Sequence, residues 1–156
     1  MKKKVTIIFF GLLLLVGAGY LYVQASAPFK NAEQEAFRLA KQLADITNPE
    51  TFYWYHGTSS YYVVIGLREN GKKYVVWINK ETKHTTVLRW DQGISEQEAI
   101  QKLKTDKSPK KILHAHLGME RTIPLWEIAY INEHDQLNYY YIRFDTGEWW
   151  RTIEKL

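Results

Sequence analysis

One short motif occurs twice in the chain. EQEAFRLAK begins at Glu33 and EQEAIQKLK begins at Glu96, 63 positions further on. A shared tetrapeptide is weak by itself, so the residues downstream of each copy carry the weight. After the second come KKILHAHLGM, PLWEIAYIN, LNYYYIRF and EWWRTI, separated by polar turns that include EHDQ and DTG. After the first come FYWYH, YYVVIGL, KYVVWIN and HTTVLRW. Each run is short and rich in aromatic and β-branched residues, which reads as strand. The order is one helix and then four strands, both times. Thr82 and Thr146 in the last turns lie 64 apart, so the copies differ by a single loop residue.

The helices are legible in detail. Ser95 is an N-cap and Glu98, three residues on, completes a capping box, with Ile94 as its hydrophobic staple. Ala99, Ile100 and Leu103 form one apolar stripe, and the helix stops before Ser108-Pro109. In the first copy Ala36, Leu39, Ala40 and Leu43 make the stripe and the stop is Asn48-Pro49. Asn70-Gly71 is a strong hairpin signal. In KKILHAHLGM, alternation puts Leu113, Ala115, Leu117 and Met119 on one face and His114 and His116 on the other. Four short antiparallel strands after a helix curl and take the helix's apolar stripe into their concave face. The fold expected is α+β: two tandem cystatin-like units, residues 31–92 and 93–156. The alternative is one continuous antiparallel sheet carrying two helices.

The N-terminus sets the compartment. Three lysines at 2–4 precede Val5–Val23, a run of 19 residues without a charge. As a helix it would be about 28 Å long, close to the thickness of a bilayer core. The lysines place residues 1–4 in the cytoplasm, make 5–24 a transmembrane helix and leave 25–30 as a linker to extracellular domains. Ala25-Ser26-Ala27 offers a signal-peptidase site as the rival reading, but the run is longer than such peptides carry. Without cysteine there is no lipoprotein modification and no disulfide. The net charge of +4 owes three units to the leader lysines, leaving 18 basic against 17 acidic residues, so nucleic acid is not an expected partner.

Motifs for chemistry are absent. There is no G-x-S-x-G, H-E-x-x-H, S-x-x-K or phosphate-binding glycine loop, and no thiol, so neither an enzyme nor a cofactor is expected. His114-x-His116 has metal-like spacing but no third ligand in pattern, and no metal is expected. Asp145 and Glu148 read as a polar hairpin tip. Half of the aromatic rings should fill the cores. Tyr140, Trp150, Trp90 and Tyr55 are the candidates to stack on a glycan or anchor a protein partner, the alternative being burial between the domains. Lys104, Lys107, Lys110 and Lys111 form a basic run, either a solvated helix end or a patch for anionic polymer.

GISEQEAIQKL together with YYYIRFDTGEWWRTI resembles a PepSY domain over residues 93–154, with Asp145-Thr146-Gly147-Glu148 as its closing hairpin. The whole layout resembles the TseB-like cell-wall elongation regulators of Gram-positive bacilli. That resemblance implies a non-enzymatic, membrane-anchored regulator acting on a membrane-bound penicillin-binding protein, with no catalytic residue to carry over. A PepSY-type protease inhibitor or propeptide-like chaperone is the second reading, and a glycan-binding module the third.

Overall fold

The computed structural model describes residues 2–155, with side chains described for 13–21 and 24–155. Helix α1 spans Lys2–Ala44. Strands β1 (Asn48–His56), β2 (Ser60–Leu67), β3 (Lys73–Asn79) and β4 (Thr85–Arg89) form one antiparallel sheet in that order. A 3₁₀ turn at Trp90–Gln92 leads to α2 (Glu96–Lys107). A second sheet then succeeds it in the same order: β5 (Lys111–Glu120), β6 (Ile123–Ile131), β7 (Leu137–Arg143) and β8 (Trp149–Ile153). The two sheets are separate, which removes the single continuous sheet.

The duplication is written in the backbone. Left-handed residues occur in matched pairs: Asp45 and Ser108 just past each helix, Gly71 and Asp135, then Lys83 and Gly147. Gly71 N–H donates to Arg68 O, and Asp135 N–H to Asn132 O. Lys83 N–H donates to Asn79 O, and Gly147 N–H to Arg143 O. Bulges fall between Pro49 and Thr51 in β1 and between Ile112 and His114 in β5. Matched positions are 63 apart through the first strand of each sheet and 64 apart from there to Trp149, while the irregularity at Trp150 in β8 has no counterpart in β4. The extra residue therefore sits in the β5–β6 turn, where Arg121 takes a φ of 57°.

Each helix covers one face of its sheet. Ala36, Leu39, Ala40 and Ala44 are buried on α1, and Phe37 meets Phe52 edge-on, ring centroids 6.4 Å apart. α2 buries Ala99 and Leu103 over β6. Its capping box forms as the sequence implies: Glu98 N–H donates to Ser95 Oγ, while Ser95 N–H donates to Glu98 Oε2 at 2.7 Å. The face of the first sheet turned away from α1 carries Tyr55, Tyr61, Val63, Ile65, Val75 and Trp77. It joins Leu103, Leu117, Trp126, Ile128, Ile142 and Phe144 in one continuous core. Complete burial of side chains such as Leu103 and Phe144 contributes about 1.5–3 kcal/mol each. Both sheets thus belong to one compact unit, residues 36–156, whose boundary falls inside α1.

Several expectations change. Residues 25–30, expected as a linker, are helical and belong to α1, which carries Pro28 in its interior. Leu43 is exposed at 47% and Ala44 takes its place in the stripe, because the helix ends at Ala44 and Asp45 turns left-handed. Leu113 is exposed as well, since the bulge beside it reverses the alternation. The expected span Val5–Val23 falls partly outside the described side chains, at 5–12 and 22–23. Among the described residues no helix is long and apolar enough to cross a membrane.

Candidate binding surfaces

The four rings singled out from the sequence are mostly in the core. Tyr140 is buried on the α2 side of β7 and donates its hydroxyl to Asp106 Oδ2 at 2.5 Å. Burial, then that carboxylate, pushes its phenol pKa up. Tyr55 is buried between the sheets, donating to Glu120 Oε1 at 2.8 Å. Its pKa is likewise raised, by burial first and by Glu120 second. Trp90 is half-buried and packs edge-on against Trp126 at 6.2 Å. Trp150 is half-buried near Glu120, Arg121 and Arg151. The junction alternative therefore holds for Tyr55, and Tyr140 is core beneath a helix.

The exposed ring is Trp149, at 59%. It pairs with Ile142 and so stands on the α2 face of the sheet, while a register shift between Tyr141 and Ile142 displaces Trp150. β8 is the edge strand of its sheet and α2 lies over β6, and the Trp149 ring on the helix side meets solvent. Strict alternation predicted the neighbour instead.

The basic run is partly neutralised. Lys107 Nζ lies 2.8 Å from Glu154 Oε1 and Lys110 Nζ lies 2.5 Å from Asp135 Oδ1. The Glu154 hydrogen bond pushes the Lys107 ammonium pKa up. Lys104 and Lys111 are exposed and have no acidic partner among the described residues. Both pairs are solvent-exposed, so screening by water keeps them weak and the run lies on the surface.

A polar belt lies on the face of the second sheet away from α2. His114 and His116 stack at 4.4 Å, Tyr53 of β1 covers His116 at 4.8 Å, and His114 Nε2 is 3.8 Å from Glu127 Oε1. Burial, and then His114, push the His116 pKa down. Burial also pushes the Glu127 carboxyl up against the opposing pull of Tyr141 and His114. The imidazoles lie ring on ring instead of converging their nitrogens on a point. Among the described residues no group of three or more His, Asp or Glu side chains is placed to hold a metal ion.

Known proteins share this architecture. The model of the TseB-like cell wall elongation regulator domain matches residues 35–79, from the end of α1 through β3. The chain is 30% identical over 155 residues to the probable cell wall elongation regulator TseB of Bacillus subtilis strain 168. That alignment covers 95% of this chain and 96% of the relative. Its fold is similar to the solved structure of the YpmB protein from Bacillus subtilis, with a TM-score of 0.73 at 28% identity, over 78% of this chain and 95% of that one. With both sheets and both helices inside an alignment of that extent, the chain belongs to the TseB-like family of cell wall elongation regulators.

Proposed function

We propose that this protein regulates cell-wall elongation without catalysis, by binding a membrane-bound penicillin-binding protein. In this reading Val5–Val23 spans the membrane with the three lysines inside, and both sheets stand outside the cell. The observation that carries it is the pairing of a wall-regulator relative over nearly the whole chain with an uncharged 19-residue run behind lysines. Core packing is compatible with the non-enzymatic part: Tyr55, Tyr61, Trp77, Trp126 and Phe144 are buried in the core that the two sheets share.

An anchored protein meets another anchored protein at high effective concentration, so a modest interface suffices. Residues 36–156 released as a soluble unit should then bind its partner weakly, and regulate only when tethered. Replacing Val5–Val23 by an unrelated span should preserve activity, whereas loss of activity would mean recognition inside the bilayer. The deciding experiment is crosslinking in intact cells, then purification of this protein from membranes. Recovery of a transpeptidase supports the proposal; recovery of a protease instead would favour the PepSY-type inhibitor.

A further inference from the structure

A groove of about 500 Å³ runs between α2 and the β7–β8 hairpin. One wall is a polar stripe of α2 in which Gln101, Lys102 and Thr105 succeed one another at helical spacing. The opposite wall is the exposed indole of Trp149, and the Tyr140–Asp106 pair lies at the base. Gly147 closes one end with a φ of +66°, where a side chain would be both strained and pressed against Ile94 and Lys102.

Trp149 is not needed to close the hairpin. Its Nε1 donates to Thr152 Oγ1 at 3.0 Å, which satisfies the polar edge and orients the ring. Its matched position in the first unit is Thr85, which pairs with Ile78 as Trp149 pairs with Ile142. The corresponding hairpin of the first unit forms with threonine in that place and without the irregularity of β8. An exposed indole over a concave, polar-floored groove gains from a ligand with one apolar face and a polar rim.

The hydrogen-bonding groups narrow the ligand class. Asp106 accepts from Tyr140 through Oδ2 and Glu98 accepts from Ser95 through Oε2, so each keeps one oxygen as an acceptor along the groove. Among the described residues the Gln101 amide and the Lys102 ammonium have no hydrogen-bond partner, so the groove offers one amide that both donates and accepts, one cation, and acceptor oxygens on Thr105, Glu98 and Asp106. A pyranose supplies the apolar face and a hydroxyl rim, and an acetamido substituent complements the Gln101 amide in both directions. We propose that this groove binds an N-acetylated hexosamine unit of a glycan chain. The site does not depend on the penicillin-binding-protein reading and stands if that reading fails.

The test uses the uniformly ¹⁵N-labelled full-length chain in a detergent without a sugar headgroup, titrated with triacetylchitotriose and separately with maltotriose. The Trp149 indole resonance, identified by its loss in Trp149→Thr, should shift saturably with triacetylchitotriose and little with maltotriose. Trp149→Thr copies the sister unit, so it should keep its unfolding midpoint while backbone shifts at α2 show affinity reduced about tenfold or more. Gln101→Ala should narrow the preference for the acetylated sugar. No saturable shift, equal response to maltotriose, or unchanged binding in Trp149→Thr would each overturn the site.

Discussion

The ring of Tyr55 on β1 lies directly against Gly118 on β5, the residue that occupies its own place in the second unit. The neighbouring matched positions meet too: the Tyr53 ring lies tilted against His116, and Gly57 abuts Glu120. Like thus meets like along the junction, and the two copies can fit only because a ring in one faces a missing side chain in the other. A Cβ added at 118 would fall closer to the Tyr55 ring than real Cβ contacts allow. Gly118→Ala should therefore destabilise the protein by about 1–3 kcal/mol, the usual cost of overpacking. Combining it with Tyr55→Leu should recover part of the loss, and urea unfolding of the four proteins of that cycle measures the coupling.

The repeated unit was legible because its signals are local. Ser95 and Glu98 cap a helix whatever surrounds them, and Asn70-Gly71 turns the chain through its own backbone preference. The junction was not legible. Whether Tyr55 is a solvent-facing ring or a wedge depends on Gly118, 63 residues away, and no short-range pattern links them. The errors at Leu113 and Trp149 share one cause. Each lies near an irregularity in strand pairing, and one displaced residue reverses the alternation that assigns side chains to faces. The exposed indole could have been suspected from alignment of the copies, since Thr85 shows that its position faces no demand from the core.

Glu120 ties the sheets together through protons. Buried at 5% exposure, it accepts from Tyr55 at 2.8 Å and from Thr58 at 2.7 Å, with Arg151 3.6 Å away. Burial pulls its pKa upward, but these hydrogen bonds and the guanidinium together hold it below the usual carboxylate value. A carboxyl depressed by folding contributes stability that is present above its unfolded pKa, about 4.3, and lost as pH falls through the folded value. Glu120→Gln should therefore be less stable than the native protein at pH 7 and converge with it in acid. Urea midpoints taken from pH 7 downward show this, and parallel curves would remove Glu120 from the acid transition.

The two copies of EQEA predict different responses to the same class of mutation. In the second, Ser95 accepts from the Glu98 N–H and α2 begins there. In the first, Glu33–Ala36 lies in the interior of α1, where the backbone needs no cap. Ser95 is matched there by Ala32, which carries no acceptor, and Asn31 is the nearest preceding side chain able to cap. Ser95→Ala should cost about 1 kcal/mol, and Ser95→Asp should restore most of it, because an N-cap needs only a side-chain acceptor. Asn31→Ala should leave the unfolding midpoint nearly unchanged. Calorimetric midpoints of the three variants decide whether the shared motif serves as a helix start only in the second unit.

His116 and Glu127 give the belt a second pH dependence. His116 is enclosed by Tyr53 from β1, by His114 on its own strand and by Glu127 across the β5–β6 pair. Its pKa is depressed, by burial first, so folding favours the neutral ring. The stability this confers is present above the unfolded value of about 6.5 and lost as pH falls through the folded pKa. Glu127 has the opposite sign: its pKa is raised by burial, so its contribution is full in acid and lost as pH rises through the folded value. His116→Gln should leave the Glu127 trend alone, with stability declining as pH rises from about 4.5 to 7. Glu127→Gln should leave the reverse trend, rising toward pH 7. Urea midpoints across that window for both variants separate the two, and a His116→Gln curve parallel to the native one would show that the imidazole is not the titrating group.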